Sequence, residues 1–180
     1  AHVHRCALRA DVWSNDISGH GGLTKQGIGA LVLTGTNTYS GPTLVNQGLL
    51  AINGSITSDV TVSSSGVVGG SGRIGSLTAN SGGTVAPGNS IGTLNVAGDV
   101  NFAAGSTYAV ELSATNSDRI VAGGKATLSG GTVTLALENS PTLLTQTQAE
   151  SLIGRQYNIL QAAGGITGSF GSVLPNYLFI

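Results

Sequence analysis

The sequence predicts an all-β fold: a right-handed parallel β-helix, a solenoid, with a β-rich C-terminal cap. Three observations point there. Strand-forming runs are short and alternate apolar with polar residues, as in Leu94-Asn95-Val96 and Val133-Thr134-Leu135; that period of two buries one face of each strand. Glycine-led units recur, GLLAI at Gly48, GVVGG at Gly66 and GTVAP at Gly83, at intervals of 18 and 17 residues. A repeat of roughly 20 residues holding several small strands marks a solenoid. The composition agrees, with 40% hydrophobic residues, only 8% charged and 29 glycines. A disordered chain has the opposite balance, and glycine at irregular spacing excludes collagen. The alternative, a β-sandwich, calls for longer alternating strands and more buried aromatics than the 4% aromatic content supplies.

Residues 1–22 read as an N-terminal extension, partly irregular, because AHVHRCALRA shares nothing with the pattern that follows. Residues 23–112 read as β-helix coils. Their runs are GALVLTG (29–35), GPTLVNQG (41–48), DVTV (59–62), RIGSLT (73–78), GTLNV (92–96), GDVNF (98–102) and STYAVEL (106–112). They are too short and too closely punctuated for long hairpins. In GTVAPGNSIGTLNVAGDVNF (83–102) the corner falls at Pro87, Gly88 and Asn89: proline presets φ, glycine accepts a positive φ, and asparagine bonds its own backbone. Val85, Leu94, Val96, Val100 and Phe102 then point inward and stack on counterparts about 4.8 Å away in neighbouring coils. Residues 113–180 read as the cap, built from DRIV, KATL, GTVTLAL, YNILQA and ITGSF, with a helical turn at Gln148–Ile153 ended by Gly154. Tyr108, Val110, Ile120, Leu128, Val133 and Leu135 are its expected interior. A solenoid needs such a cover because its last coil exposes unpaired strand edges.

Chemistry is hard to find. The net charge of −1 leaves no footprint for nucleic acid, and no apolar run approaches the length of about 18 residues that spans a bilayer as a helix. No signal-peptide pattern opens the chain. One cysteine, Cys6, excludes an internal disulfide. His2, His4 and Cys6 alternate and would share one face of a strand, but three ligands at a terminus make a poor zinc site. GSGRIG (70–75) matches a dinucleotide fingerprint, yet SLTANSGG follows where a helix must open; its glycines read as corners. Asp16 and His20 sit in a turn, NDISGHGG, with no nucleophile motif nearby. Glu111, Asp118, Glu138 and Glu150 are isolated carboxylates expected in solvent. Tyr39, Tyr108, Tyr157 and Phe170 are expected to pack corners and cap. No catalytic, cofactor or metal residue is expected in this chain.

NDISGHGGLTKQGIGALVLTGTNTYSGPTLVNQGLLAINGSI (15–56) resembles the passenger-stem repeat of bacterial autotransporters, the type V secretion proteins. VVGGSGRIGSLTANSGGTVAPGNSIGTLNVAGDVNFAAGSTYAVEL (67–112) resembles the segment that follows it, and SDRIVAGGKATLSGGTVTL with YNILQAAGGITGSF resembles the C-terminal autochaperone region. The resemblance runs from Trp13 onward. It implies a stem fragment that folds at the cell surface and promotes outer-membrane translocation of an N-terminal effector, with the chain's own passenger head and an outer-membrane β-barrel as partners, on the cell surface or secreted after cleavage. WSNDISGHGGLTKQG (13–27) looks most like autotransporters with a subtilisin-like serine protease head, so the full-length protein is expected to be a protease and this fragment is not. Adhesion or self-association is the alternative.

Overall fold

The computed structural model describes residues 2–5, 10–138, 143–144, 146–175 and 178–179. The chain enters through β1 (His2–Arg5) and β2 (Ala10–Trp13), then passes through β3 (Leu23–Gln26), β4 (Ala30–Leu33), β5 (Thr36–Asn37), β6 (Thr43–Ile52), β7 (Ser55–Ile56), β8 (Val60–Gly70) and β9 (Arg73–Ile74). It continues as β10 (Leu77–Ala79), β11 (Thr84–Pro87), β12 (Thr93–Val96), β13 (Val100–Phe102), β14 (Thr107–Leu112), β15 (Arg119–Ala122) and β16 (Ala126–Leu137). A detour through β17 (Leu143–Leu144) and α1 (Gln146–Leu152) precedes β18 (Leu160–Ala162), β19 (Ile166–Pro175) and β20 (Leu178–Phe179). The fold is thus nearly all β, and the pairings between these strands are parallel.

Each strand pairs with the one that occupies the same place a round later, so three ladders advance together. One file runs Leu23–Thr43–Val60–Leu77–Val100–Ala126–Ile166, in steps of 17 to 26 residues and then 40. A second ladder carries Leu31–Leu50–Val68–Val85–Tyr108–Val133–Val173. The third links β5, β7, β9, β12, β15 and β18. The long last step accommodates the detour through α1. After Leu112, β15, β16, β18 and β19 extend the same three ladders while β17 and β20 pair with each other, and β1 and β2 pair with β3 and β4.

Alternation sets which residues go inside. In β12 the pattern is half-buried, buried, half-buried, buried, with Leu94 and Val96 inward; β14 repeats it over six residues. The inward side chains form a single buried cluster extending from Leu23 to Leu160. At roughly 1.5–3 kcal/mol for each fully buried aliphatic side chain, this column drives the fold.

The structure departs from the expected tiny strands in one respect. TLVNQ and GLLAI join as β6, and β8 and β16 run 11 and 12 residues. The reason is local. Gly48 takes φ +68° and the register shifts between Val45 and Gln47, so the strand bends through the corner without ending. A side chain at Gly48 would collide with the Gly27 and Gly29 carbonyls and press on the Lys25 ammonium, and glycine adopts positive φ at no steric cost.

Candidate functional site: buried ties of the last rounds

Ring contacts and buried hydrogen bonds tie the later rounds together between Phe102 and Phe170. Alternation turns Phe102 inward at the end of β13 and Tyr108 inward in β14. Their rings lie 5.4 Å apart, and Phe170 of β19 completes a triangle at 5.2 Å from Phe102 and 6.0 Å from Tyr108. Such tilted and edge-on pairs add about 0.5–1.5 kcal/mol beyond burial. Tyr108 is fully buried, and its hydroxyl donates to the Ile159 carbonyl at 2.5 Å. Burial pushes its phenol well above the usual tyrosine range, so it stays a neutral donor. The Tyr157 hydroxyl donates to the Ser113 carbonyl at 2.6 Å. Two tyrosine hydroxyls therefore fasten the segment that leads from α1 into β18.

Beside them, Ser113 and Asn116 close a tight loop, with the Ser113 amide donating to Asn116 O at 2.8 Å. The loop sets Asp118 opposite Glu111. The Asp118 carboxylate accepts from the Gly92 amide through Oδ1 and from the Glu111 amide through Oδ2, each at 2.8 Å. It joins two successive rounds. Desolvation raises its pKa to about 6, helped by the charges of Glu111 and Glu138 and opposed by the two amide donors. The Ser90 hydroxyl bonds the Glu138 carboxylate, and the Asn89 amide nitrogen donates to Asn53 Oδ1 at 2.8 Å. The Pro87–Gly88–Asn89 corner is thereby held from both sides. Gly88 has φ +84°, and a Cβ there would collide with the Ser90 carbonyl.

The residues expected inside are placed as follows. Val85, Leu94, Val100, Tyr108 and Ile120 are fully buried, Phe102, Val110, Val133 and Val96 nearly so, and Leu128 is 9% exposed. Leu135 is half-buried against the cluster. Val85, Tyr108 and Val133 are consecutive rungs, as are Leu94 with Ile120, Phe102 with Leu128, and Val110 with Leu135. Asp118 departs from the expectation of a solvated carboxylate, being only 2% exposed; the two amides it accepts from replace its water.

Other candidates separate. Asp16 accepts from the Thr36 amide, while His20 faces Ser40, so they do not form a relay. Arg73 and Ile74 of GSGRIG lie in a strand rather than opening a helix. Cys6 lies outside the described residues. Among the described residues no group of three His, Cys, Asp or Glu is arranged to hold a metal. The arrangement binds polypeptide to polypeptide; its chemistry is hydrogen bonding and burial.

Besides Asp118, sequence reasoning missed five buried polar residues, Ser106 of the later rounds and four others. Lys25, Asn37, Thr43 and Ser58 lie inside the first rounds. The signal for Lys25 was strand parity with Leu23, which a basic residue obscures.

Residues 23–52 match the family described as passenger-associated-transport-repeat. Over 170 residues, 94% of the chain, the sequence is 49% identical to an extracellular serine protease of Serratia marcescens. It is 45% identical over 171 residues, again 94% of the chain, to a second extracellular serine protease of that species. The chain spans 16% of the length of each of these relatives. Over 48 residues, 27% of the chain and 4% of the relative, it is 50% identical to the Neisserial autotransporter lipoprotein NalP of Neisseria meningitidis serogroup B.

Proposed function

We propose that this chain, which is bacterial autotransporter passenger sequence, is a right-handed parallel β-helix stem whose C-terminal rounds, residues 113–180, act as cap and autochaperone. The stem promotes folding and outer-membrane translocation of an N-terminal effector domain. The names of the Serratia relatives support a serine protease as that effector, of the subtilisin type by the resemblance of residues 13–27. The chain itself carries no catalysis. Its partners are its own passenger head and an outer-membrane β-barrel, and it works at the cell surface or is secreted after cleavage.

The observation that carries this reading is the tie of Tyr108 to Phe102, Phe170 and the Ile159 carbonyl. It fastens three rounds at one end of a column whose strands pair with those of neighbouring rounds. In such a stack the first round is unfavourable because its strands lack partners, and each later one adds at nearest-neighbour cost. A fastened end supplies the template. Folding outside the membrane then biases the chain outward without a nucleotide.

Tyr108→Ala tests it. Truncating a buried aromatic destabilises by about 3–5 kcal/mol. In a full-length relative carrying the change, protease-resistant passenger at the cell surface falls several-fold while the barrel still inserts. Undiminished surface passenger sinks the reading.

One observation favours self-association as a second reading. Residues 156–180 contain no charged side chain, and among the described residues β19 pairs with β16 alone. Ile166, Val173 and Leu174 on that edge are 48%, 60% and 52% exposed. An uncharged open edge is a template for another strand, here that of a second copy. Sedimentation of the chain would show a concentration-dependent dimer that Val173→Lys abolishes; a monomer at every concentration dismisses this reading.

A further inference from the structure

Every inward file in the first two ladders can be followed rung by rung, and polarity is unevenly distributed along them. Lys25 is followed by Val45, Val62, Ala79, Phe102 and Leu128. Thr43 lies between Leu23 and Val60, and the residues beyond it are Leu77, Val100 and Ala126. In the third ladder Asn37 pairs with Ile56, while Ile74, Val96 and Ala122 are apolar. Each of these three files holds one polar residue, and all three fall between Lys25 and Thr43. Ser106 and Asp118, also buried, sit at corners off these files and bond backbone there.

Each of the three is paired both within its own turn of chain and with a neighbouring round. The Lys25 ammonium, wholly buried, donates to Gly27 O at 2.7 Å and to Gln47 O at 3.0 Å. The Asn37 amide donates to Ser55 O at 3.1 Å and to Gly35 O at 3.2 Å, while its Oδ1 accepts from the Ile17 amide at 3.0 Å. The Thr43 hydroxyl lies 2.6 Å from both Tyr39 Oη and Ser58 Oγ. A polar group in an interior adds no apolar burial and must be fully paired to be tolerated. An aliphatic residue in the same place would drive collapse unaided.

We infer that Lys25, Asn37 and Thr43 withhold independent folding from the rounds spanning residues 23–58, which order only against the apolar stack that follows them. These polar residues thus set the order in which the stem folds, rather than its final shape. The inference rests on the proposed seeding by the C-terminal rounds and deepens it: one end is fastened by aromatics, and the other is prevented from starting by itself. Removing the polarity should release the restraint. Lys25→Met keeps the length of the side chain, and a cleft lined by Gln26, Gly27, Asn46, Gln47 and Ser65 lets water reach the carbonyls it leaves. Thr43→Val keeps the shape at a second site.

Pulse-labelled amide exchange during refolding of the full chain decides the matter. In the unaltered chain, amides of β14 and β16 are protected in an earlier phase than those of β3 and β4. In Lys25→Met or Thr43→Val, β3 and β4 gain protection at least fivefold faster, closing on the β14 phase. If the unaltered chain keeps the C-terminal phase first but neither variant speeds β3 and β4, or both slow them, the inference falls and the seeding reading stands. If β3 and β4 are protected first or together with β14 in the unaltered chain, the seeding reading falls and takes the inference with it.

Discussion

Asp118 shows how one buried side chain makes the stem sensitive to pH. Its folded pKa of about 6 lies above the value of 3.8 for a free carboxyl, because burial disfavours the charged form. The folded state therefore holds a proton that the unfolded chain has released between these values. The contribution is complete below about pH 4 and is lost as pH rises through about 6. Its size is at most about 3 kcal/mol. Urea midpoints measured from pH 4 to 7 should fall across that window, and Asp118→Asn should flatten the profile, at a lower midpoint throughout because its amide offers one acceptor oxygen where the carboxylate gives one each to the Gly92 and Glu111 amides. A midpoint that climbs with pH in the native chain and not in the variant would reverse the assignment. Nothing in the sequence marks this residue. DRIV reads as a solvated aspartate before a strand, and only the loop Ser113–Asn116 and the preceding round's Gly92 make it a tie.

At the scale of elements, alternation was legible and its consequences follow. Leu94, Val96, Val100 and Val133 could be assigned a face because period-two runs leave one choice of register, and those side chains are buried. The prediction is a contrast within β16. Val133→Asp places a carboxylate in the column and destabilises by several kcal/mol. Thr127→Asp, on the exposed side of the same strand, stays within about 0.5 kcal/mol. Equal melting of the two variants would mean the faces are misassigned. Other features were illegible for physical reasons. Glycine marked the corners, but whether a glycine ends a strand or bends it depends on the neighbouring round; Gly48 bends β6 because Gly66 pairs with it in β8. Gln148–Ile153 read as a helical turn because its composition is local, and α1 lies there at Gln146–Leu152. Lys25 read as nothing, since a cation placed inward by parity needs carbonyls that only the turned corners of two rounds provide.

For the whole molecule, repetition in the sequence anticipated repetition in space. Glycine-led units 18 and 17 residues apart correspond to in-register rungs, with Gly48 opposite Gly66. Less visible was how uneven the stack is. Buried polar residues gather in its first rounds and the Phe102–Tyr108–Phe170 ring cluster lies in its last, and that asymmetry gives a repeat structure a direction. The measurement that tests this most directly is equilibrium denaturation of the chain shortened by Ser113–Ile180, beside the full chain. Without the fastened end, the remaining rounds should lose their single cooperative transition and unfold in a broad, shallow slope. A shortened chain that keeps a sharp transition at the original midpoint would contradict the account.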